Sequence, residues 1–299
     1  MKITFLGTSS MMPTKERNAF SILISHEKEN ILIDCGEGTQ RQLRMIGFSP
    51  AKITKILITH WHGDHVLGLP GLMQTLAASN YQRTLEIYGP KGTKSLFKKI
   101  MGLFVNQDKI NIRITEITRD GRFYGDNELI LESASLDHTA LCRAYSVKES
   151  DKRKMNMEYL KKIGLVKHPL LGDLQKGKAI IFKGKKISPE KATYIKKGKK
   201  VTIITDTKLC NQCYSLAKDS DLLICEATFM SDLKDKAAEY MHLTSDQAAS
   251  IAKKSNSKKL ILTHISQRYK VENNKKIELE ARVIFKDTAI SKDLLTLEV

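Results

Sequence analysis

The stretch Thr59-His60-Trp61-His62-Gly63-Asp64-His65, written THWHGDH, holds three of the chain's eight histidines and one aspartate within seven residues. The segment before it, Ile53-Thr-Lys-Ile-Leu-Ile58, is short, apolar and rich in β-branched side chains, which predicts a buried strand. The cluster therefore follows the end of a strand.

The spacing within this cluster fits a site for two metal ions. In an extended chain, His60 and His62 project to the same side, while a turn at Gly63 brings Asp64 and His65 towards a second ion. Neutral imidazole and carboxylate suit zinc and related transition ions. Two such ions about 3.5 to 4 Å apart can clamp the attacking and the leaving oxygen of a phosphoester. The alternative is a polar loop in which histidines cluster by chance.

Length and cysteine content narrow the class of protein. The 299 residues are enough for one large domain or two modest ones. The apolar run before Gly7 is too short for a signal peptide, and no stretch approaches the roughly 18 apolar residues of a membrane span, so we expect a cytoplasmic protein with no membrane partner. Five scattered cysteines form no disulfide framework. Cys210-Asn-Gln-Cys213 is interpreted as small buried side chains on a helix, with a zinc or redox role as the alternative.

Positive charge is concentrated in one segment. The net charge is +17, and residues 148–200 carry 17 Lys and Arg against 5 Asp and Glu. Such a segment would attract a polyanion and could neutralise phosphates, although a basic run is often only a solvated surface.

Apolar patterning predicts alternating strands and helices. Strands are predicted at 2–6, 20–25, 30–33, 53–58, 85–88, 112–117, 129–134, 140–147, 201–204, 221–225 and 258–263, and helices at 38–46, 65–78 and 92–101. This alternation favours a layered α/β or α+β core. The interval 148–200 breaks the rhythm, contains a predicted hairpin over 179–187 that turns at Gly184, and is expected to be an insertion.

Three further strand-like runs end in a metal-ligand side chain, at His138, Asp206 and His264. Each could be a routine polar strand end. Together with the cluster they supply five histidines and two aspartates, enough for two ions with a shared carboxylate.

These residues also carry a family resemblance. HWHGDH followed in order by His138, Asp206 and His264 resembles the metallo-β-lactamase superfamily, whose fold has two facing β-sheets with helices on the outer sides. Four further segments resemble motifs of the tRNase Z, or ribonuclease Z, family: Pro13-Thr-Lys-Glu-Arg-Asn18 (its Pro-x-Lys-x-Arg-Asn loop), Cys225-Glu-Ala-Thr228 (His-Glu-Ala-Thr), His242-Leu-Thr244 (His-Ser-Thr) and Leu262-Thr-His-Ile-Ser-Gln-Arg-Tyr269.

The resemblance implies an α+β fold: a metallo-β-lactamase αββα sandwich formed by 1–147 and 201–299, with 148–200 as an inserted, flexible, basic tRNA-binding arm. It implies a zinc-dependent endoribonuclease that removes the 3′ trailer from precursor tRNA near the discriminator nucleotide and leaves a 3′-hydroxyl. It also implies two zinc ions per subunit and a homodimer, with no DNA partner expected.

Residue roles follow from the same resemblance. One zinc is assigned to His60, His62 and His138, the other to Asp64, His65 and His264, and Asp206 bridges them. Asp64 orients the attacking water and accepts its proton. Glu226 pairs with His242, which protonates the departing 3′ oxygen; the alternative is that His242 merely precedes a helix start at Thr244. The assigned substrate contacts are Lys15, Arg17 and Asn18.

The departures from the family's pattern are local. Cys225 and Leu243 replace a histidine and a serine of the motifs, and His168-Pro169 stands where many bacterial members carry Gly-Pro. Another hydrolase of the superfamily would share the metal cluster but would need neither the 13–18 loop nor the basic insertion. A further alternative is an RNA-binding protein without catalysis. Such a protein would be free to lose metal ligands, and none is missing here.

Overall fold

A computed structural model describes residues 1–104 and 110–299 of the chain. The strands among these residues are β1 (Lys2–Gly7), β2 (Ser21–His26), β3 (Glu29–Ile33), β4 (Lys55–Leu57), β5 (Thr84–Pro90), β6 (Asn111–Ile117), β7 (Gly121–Gly125), β8 (Leu129–Leu136), β9 (Cys142–Glu149), β10 (Lys152–Met155), β11 (Ile180–Phe182), β12 (Lys185–Ile187), β13 (Thr193–Lys196), β14 (Lys200–Ile204), β15 (Leu222–Glu226), β16 (Leu260–Thr263), β17 (Thr288–Ile290) and β18 (Thr296–Glu298). The helices are α1 (Thr39–Met45), α2 (Gly63–Val66), α3 (Leu69–Ala78), α4 (Thr93–Met101), α5 (Met157–Lys162), α6 (Leu171–Gln175), α7 (Pro189–Ala192), α8 (Asn211–Ala217), α9 (Lys234–Glu239), α10 (Ser245–Lys254) and α11 (Asn274–Ile284).

Two mixed sheets of seven strands each form the centre of the molecule. The first has the order β18-β1-β2-β3-β4-β5-β6, and the second has the order β17-β16-β15-β14-β9-β8-β7. In each sheet an antiparallel half continues into a parallel half, from β3 to β6 and from β14 to β17.

Apolar side chains fill three layers around these sheets. Ile3, Ile22 and Tyr145 belong to the layer between the sheets. A second layer packs α1, α3 and α4 on the outer side of the first sheet, and a third packs α8, α10 and α11 on the second sheet. Every residue of β15 is buried, as expected for a central parallel strand covered on both faces. The expected α+β sandwich with helices outside is therefore confirmed.

The insertion between β9 and β14 is folded. Strands β10 and β13 pair at its base, β11 and β12 form a hairpin, and Gly184 turns that hairpin with φ 73°. It has an apolar cluster of its own that includes Leu160, Leu174 and Ile187. Its two ends meet, because Glu149 N donates to Lys199 O at 2.8 Å.

The predicted helix over 65–78 is wrong in one respect, because the chain forms two helices there. Helix α2 ends at Val66 and α3 begins at Leu69, with Pro70 in its first turn. The amide of Gly68 donates to Cys35 O at 2.9 Å instead of continuing α2. A Cβ at Gly68 would lie 2.1 Å from Gly36 O, so this junction requires glycine.

None of the helices in the described ranges is long and apolar enough to cross a membrane.

Candidate functional site

The predicted ligands meet at one edge of the sandwich, where strands of both sheets end. His60 and His62 follow β4, and Asp64 and His65 lie in the short helix α2. From the second sheet, His138, Asp206 and His264 follow β8, β14 and β16. Parallel strands place their carboxyl ends at the same edge, which explains why residues far apart in sequence converge here.

The seven side chains form two groups of four that share one member. His60, His62, His138 and Asp206 make one group, and Asp64, His65, Asp206 and His264 make the other. Within each group one potential ligand atom per residue lies within 4.8 Å of the others. Both groups are capable of holding a metal ion, as the cluster in the sequence predicts.

Asp206 is shared through its two oxygens. Its Oδ2 lies 3.6 Å from His60 Nε2 and 3.8 Å from His138 Nε2, whereas Oδ1 lies 3.5 Å from His65 Nε2 and 3.3 Å from His264 Nε2. Burial opposes its ionisation, but the surrounding histidines hold the pKa of Asp206 well below its usual range. The carboxylate is therefore ionised and faces both groups, as a bridging ligand requires.

Hydrogen bonds at Nδ1 fix the tautomers of three histidines. His65 Nδ1 donates to Asp34 Oδ2 at 2.7 Å. The single hydroxyl proton of Thr59 goes to Asp34 Oδ2, so its oxygen accepts from His60 Nδ1 at 3.0 Å. In the same way Thr228 donates to Glu226 and accepts from His264 Nδ1 at 3.1 Å. Each of these rings therefore turns its Nε2 atom towards the centre of the cluster.

The Nε2 atoms themselves point to a metal. Those of His60, His65 and His264 are buried and have no partner in hydrogen-bond geometry within the described ranges. Burial, together with the neighbouring His65, holds the pKa of His60 well below its ordinary value, so this ring stays neutral. A neutral imidazole with a buried free lone pair costs stability unless it binds a cation, and carboxylate–histidine pairs such as Asp34–His65 commonly orient metal ligands. The donor set fits zinc.

Backbone strain marks the same place. Asp34, Asp206 and His264 have φ values of 55°, 54° and 57°, in the left-handed region that costs energy for residues other than glycine. Asp34 and His264 directly follow β3 and β16, and Asp206 is the second residue after β14. The sandwich therefore holds these side chains in conformations that an isolated loop would not favour.

Comparison with known proteins places this site in a family. A family model described as anti-Pycsar protein Apyc1 matches residues 1–111. Ribonuclease Z of Nanoarchaeum equitans (strain Kin4-M) is 42% identical over 267 residues, which covers 89% of this chain and 84% of that protein. A ribonuclease Z of Bacillus cereus is 38% identical over 310 residues, covering 100% of this chain and 99% of that protein. The chain belongs to the ribonuclease Z family.

Solved structures agree with the ribonuclease Z assignment. Human tRNase Z, short form, superposes with a TM-score of 0.74 at 27% identity, covering 100% of this chain and 99% of the human chain. The metallo-β-lactamase fold protein YhfI of Bacillus subtilis superposes with a TM-score of 0.71 at 19% identity, covering 100% and 99% of the two chains. The expected metallo-β-lactamase fold and an endoribonuclease of the hydrolase class are confirmed.

In this ribonuclease Z chain, the buried Glu226 pairs with the partly exposed His242 beside the candidate ligands. His242 Nδ1 lies 2.9 Å from Glu226 Oε2, while Glu226 Oε1 accepts from the backbone amide of Thr207 at 2.7 Å. Burial lowers the pKa of His242, but the Glu226 carboxylate outweighs it and raises that pKa to about 9. The imidazole is thus able to carry a proton at neutral pH, and Nε2 is the nitrogen left for another group. The capping box at Thr244 is also formed, and this helix start leaves the contact between His242 and Glu226 intact.

A cleft of about 600 Å³ opens over the ligands. Its walls include Met11, Leu67, Phe229, Tyr240 and Arg268 besides five of the candidate ligands and His242. The guanidinium of Arg268 lies 5.4 Å from the centre of the Phe229 ring. The cleft therefore combines apolar and cationic walls with the candidate metal centre at its floor.

The three expected substrate contacts lie on one loop but differ in exposure. Lys15 is exposed, whereas Arg17 is only 4% exposed and Asn18 is partly buried. Arg17 donates to Thr8 and Asn274 inside the protein. In this arrangement Lys15 is presented to solvent as a direct RNA contact would require, Asn18 is presented in part, and Arg17 is not.

Asp34 is a site residue that the sequence reasoning missed. It accepts hydrogen bonds from Thr59 N and Thr59 Oγ1, both at 2.7 Å, and from His65. The signal was present, because Asp34 follows the apolar strand β3 just as Asp206 follows β14.

The sequence predicts a helix that contains both Cys210 and Cys213, but α8 begins one residue after Cys210. Cys213 is buried in α8, but Cys210 is the partly exposed residue that precedes the helix, and the two sulfur atoms lie 3.5 Å apart. The thiol of Cys213 donates to Cys210 and thereby lowers the pKa of Cys210 to about 6.

Proposed function

We propose that this chain is a zinc-dependent endoribonuclease that removes the 3′ trailer from precursor tRNA. It hydrolyses a phosphodiester near the discriminator nucleotide and leaves a 3′-hydroxyl on the tRNA. The observation that carries the proposal is the pair of ligand groups joined by Asp206, in a chain of the ribonuclease Z family.

Two zinc ions per subunit are part of the proposal. His60, His62 and His138 would hold one ion, Asp64, His65 and His264 the other, and Asp206 would contact both. When bound, such ions lower the pKa of water and stabilise negative charge on a phosphate. The buried Nε2 atoms without hydrogen-bond partners in the described ranges and the ionised Asp206 are what support this assignment.

Two groups of the protein would move protons. Asp64 lines the cleft, and although burial opposes its ionisation, His65 and His264 hold its pKa below the usual range. It is therefore ionised, and it would orient the attacking water and accept its proton. His242, fixed by Glu226, would donate a proton from Nε2 to the departing 3′ oxygen.

The folded insertion would bind the body of the tRNA. It carries +12 of the net charge of +17. Its exposed lysines include Lys167, Lys176, Lys178, Lys185 and Lys186. Each lysine that neutralises a phosphate releases counterions, which gives affinity without sequence preference. A homodimer, in which one subunit's arm holds tRNA for the other's site, and a cytoplasmic location belong to the same proposal.

The test is cleavage of a precursor tRNA by metal-free protein to which zinc is returned in steps. We expect no cleavage without metal and full activity near two zinc ions per chain, measured by gel electrophoresis and elemental analysis. The tRNA product should end in a 3′-hydroxyl and the trailer should begin with a 5′-phosphate. Cleavage that persists in excess chelator, or a cyclic phosphate on the tRNA, would overturn the proposal. Hydrolysis of small diesters alone would instead favour another enzyme of the superfamily.

A further inference from the structure

The loop between β1 and β2 contains the segment 13–18, which is fastened to the protein by residues from distant parts of the chain. Its arginine, Arg17, is buried, while Lys15 two residues earlier is exposed. Thr14 and Arg17 close the loop on itself, since Thr14 N donates to Arg17 O at 2.8 Å and Arg17 N donates to Thr14 Oγ1 at 3.1 Å. The tip that carries Lys15 therefore stands on a compact turn.

Both terminal nitrogens of the Arg17 guanidinium are hydrogen-bonded inside the protein, whereas its Nε is buried without a hydrogen-bond partner in the described part of the chain. Its NH2 group donates to Asn274 Oδ1 at 2.6 Å, at the start of α11. Its NH1 group donates to Thr8 Oγ1 at 2.9 Å and, at 3.4 Å, to the backbone oxygen of Ser291. All three acceptors are buried. Withdrawing Arg17 to meet a phosphate would leave these groups without their donor, at a cost of about 1 to 3 kcal/mol for each buried group.

Asp293, which follows β17, joins the loop to the rest of the fold. Its Oδ1 accepts from Thr8 Oγ1 at 2.7 Å, so Thr8 connects it to Arg17. Its Oδ2 accepts from the backbone amide of Asn18 at 2.6 Å and from Gln42 Nε2, in α1, at 3.0 Å. The carboxylate thus holds both ends of the β1–β2 loop and one helix at once. Asp293 lies outside all of the sequence motifs that resemble the ribonuclease Z family.

Residues 8–10, at the start of the same loop, connect it to the segment that carries His264. Ser9 N donates to Asn18 O at 3.0 Å, Ser10 N donates to Ile265 O at 3.1 Å, and Ile265 N donates to Thr8 O at 3.0 Å. Ile265 is the neighbour of His264, one of the candidate ligands. A shift of the loop would therefore move Lys15 relative to the scissile phosphate without removing any ligand.

From these contacts we propose that Asp293 and Arg17 are positioning residues that hold Lys15 where it meets the RNA, and that Arg17 does not itself contact RNA. The inference rests on the proposed function, because it needs an RNA substrate in the cleft. Lys15 then supplies the charge at the loop tip, and Asp293 acts only through Lys15. The simplest interpretation of the loop is different, because in it both Lys15 and Arg17 bind phosphate.

A double-mutant cycle on the full-length, zinc-loaded protein tests the proposal. The variants are Lys15→Ala, Asp293→Asn, Arg17→Gln and each of the last two combined with Lys15→Ala, with kcat/KM measured on precursor tRNA. We expect each single variant to lose about tenfold, as one lost charge-assisted contact would give, and each double variant to lose no more than Lys15→Ala alone. Losses that multiply to about a hundredfold would overturn the proposal.

The salt dependence of tRNA binding separates positioning from contact. Lys15→Ala should reduce the salt slope by about one phosphate contact, and adding Arg17→Gln should not reduce it further. A reduction of about two contacts in the double variant would show that Arg17 binds phosphate directly.

Hydrolysis of bis(p-nitrophenyl) phosphate reports on the metal centre alone, because this small diester does not need the RNA-binding loop. The rate of Asp293→Asn should stay within about twofold of the parent, with unchanged zinc content. An equal loss on both substrates would mean that Asp293 only maintains the fold and would overturn the proposal. If Asp293→Asn does not fold, the Arg17→Gln cycle decides by the same criteria. Failure of the parent itself to cleave precursor tRNA would count against the proposed function and not against the loop.

Discussion

Oδ2 of Asp34 lies 2.7 Å from Nδ1 of His65, and both side chains are fully buried. The same carboxylate accepts two hydrogen bonds from Thr59, the residue before His60. One carboxylate therefore orients residues of both ligand groups, although it belongs to neither.

We expect Asp34→Ala to weaken metal binding by about 10- to 100-fold, because His65 loses the partner that fixes its tautomer. Competition with a chromophoric chelator measures the affinity. The matched control is Asp287→Ala, which removes an exposed carboxylate before β17 and should change nothing. Parent-like zinc affinity in Asp34→Ala would show that His65 is held without it.

His242→Ala and Glu226→Gln should each slow the chemical step and leave the metal content unchanged. His242 is the proposed proton donor, and Glu226 sets its orientation through the 2.9 Å hydrogen bond. Loss of one proton-transfer group typically costs about 100- to 10,000-fold, seen in single-turnover cleavage of precursor tRNA. If zinc is lost with His242, the residue belongs to the metal centre instead.

Cys210 should be the cysteine that alkylates first. It is partly exposed, whereas Cys35, Cys142, Cys213 and Cys225 are buried. Only the thiolate reacts, so the rate with iodoacetamide should rise with pH and reach half its maximum near the pKa of about 6. Peptide mass spectrometry locates the label.

Cys213→Ala supplies the matched variant for this titration, because it removes the thiol that donates to Cys210. We expect the midpoint to move up towards the ordinary cysteine value of about 8.5. A midpoint already at that value in the parent, or labelling spread over all five cysteines, would contradict the assignment.

Replacing residues 151–198 by two glycines should weaken binding of precursor tRNA and flatten its salt dependence, since most of the excess positive charge would be gone. The splice is permitted by the structure, because Lys148 and Lys200 pair across β9 and β14 and the strands stay in register. Zinc content and hydrolysis of a small phosphodiester should survive. A matched control keeps the insertion but changes its exposed lysines to glutamine. Unchanged affinity and salt slope in the folded variants would mean that tRNA is held elsewhere.

The convergence of the candidate ligands was predictable because they follow apolar strands, a local pattern that needs no knowledge of distant contacts. The strands that were missed are short or polar: β7 is largely exposed, and β17 and β18 have three residues each. Their pairing partners, not their own side chains, hold them in the sheets.

The burial of Arg17 could not be predicted from its neighbours in the sequence either, because its partners are distant. Its acceptor Asn274 lies 257 positions away, and Asp293 lies 275 positions from Asn18. An arginine in a polar loop is ordinarily exposed, and only the packed fold shows which partners withdraw it from solvent.

The most direct test of the central claim is Asp64→Ala, with binding and cleavage of precursor tRNA measured on the same preparation. Asp64 is a member of one ligand group and lines the cleft. It does not belong to the insertion that is proposed to bind tRNA. We predict that cleavage is lost while the dissociation constant for tRNA stays within about threefold of the parent. Cleavage within about tenfold of the parent rate would contradict the claim that this cluster is the catalytic centre.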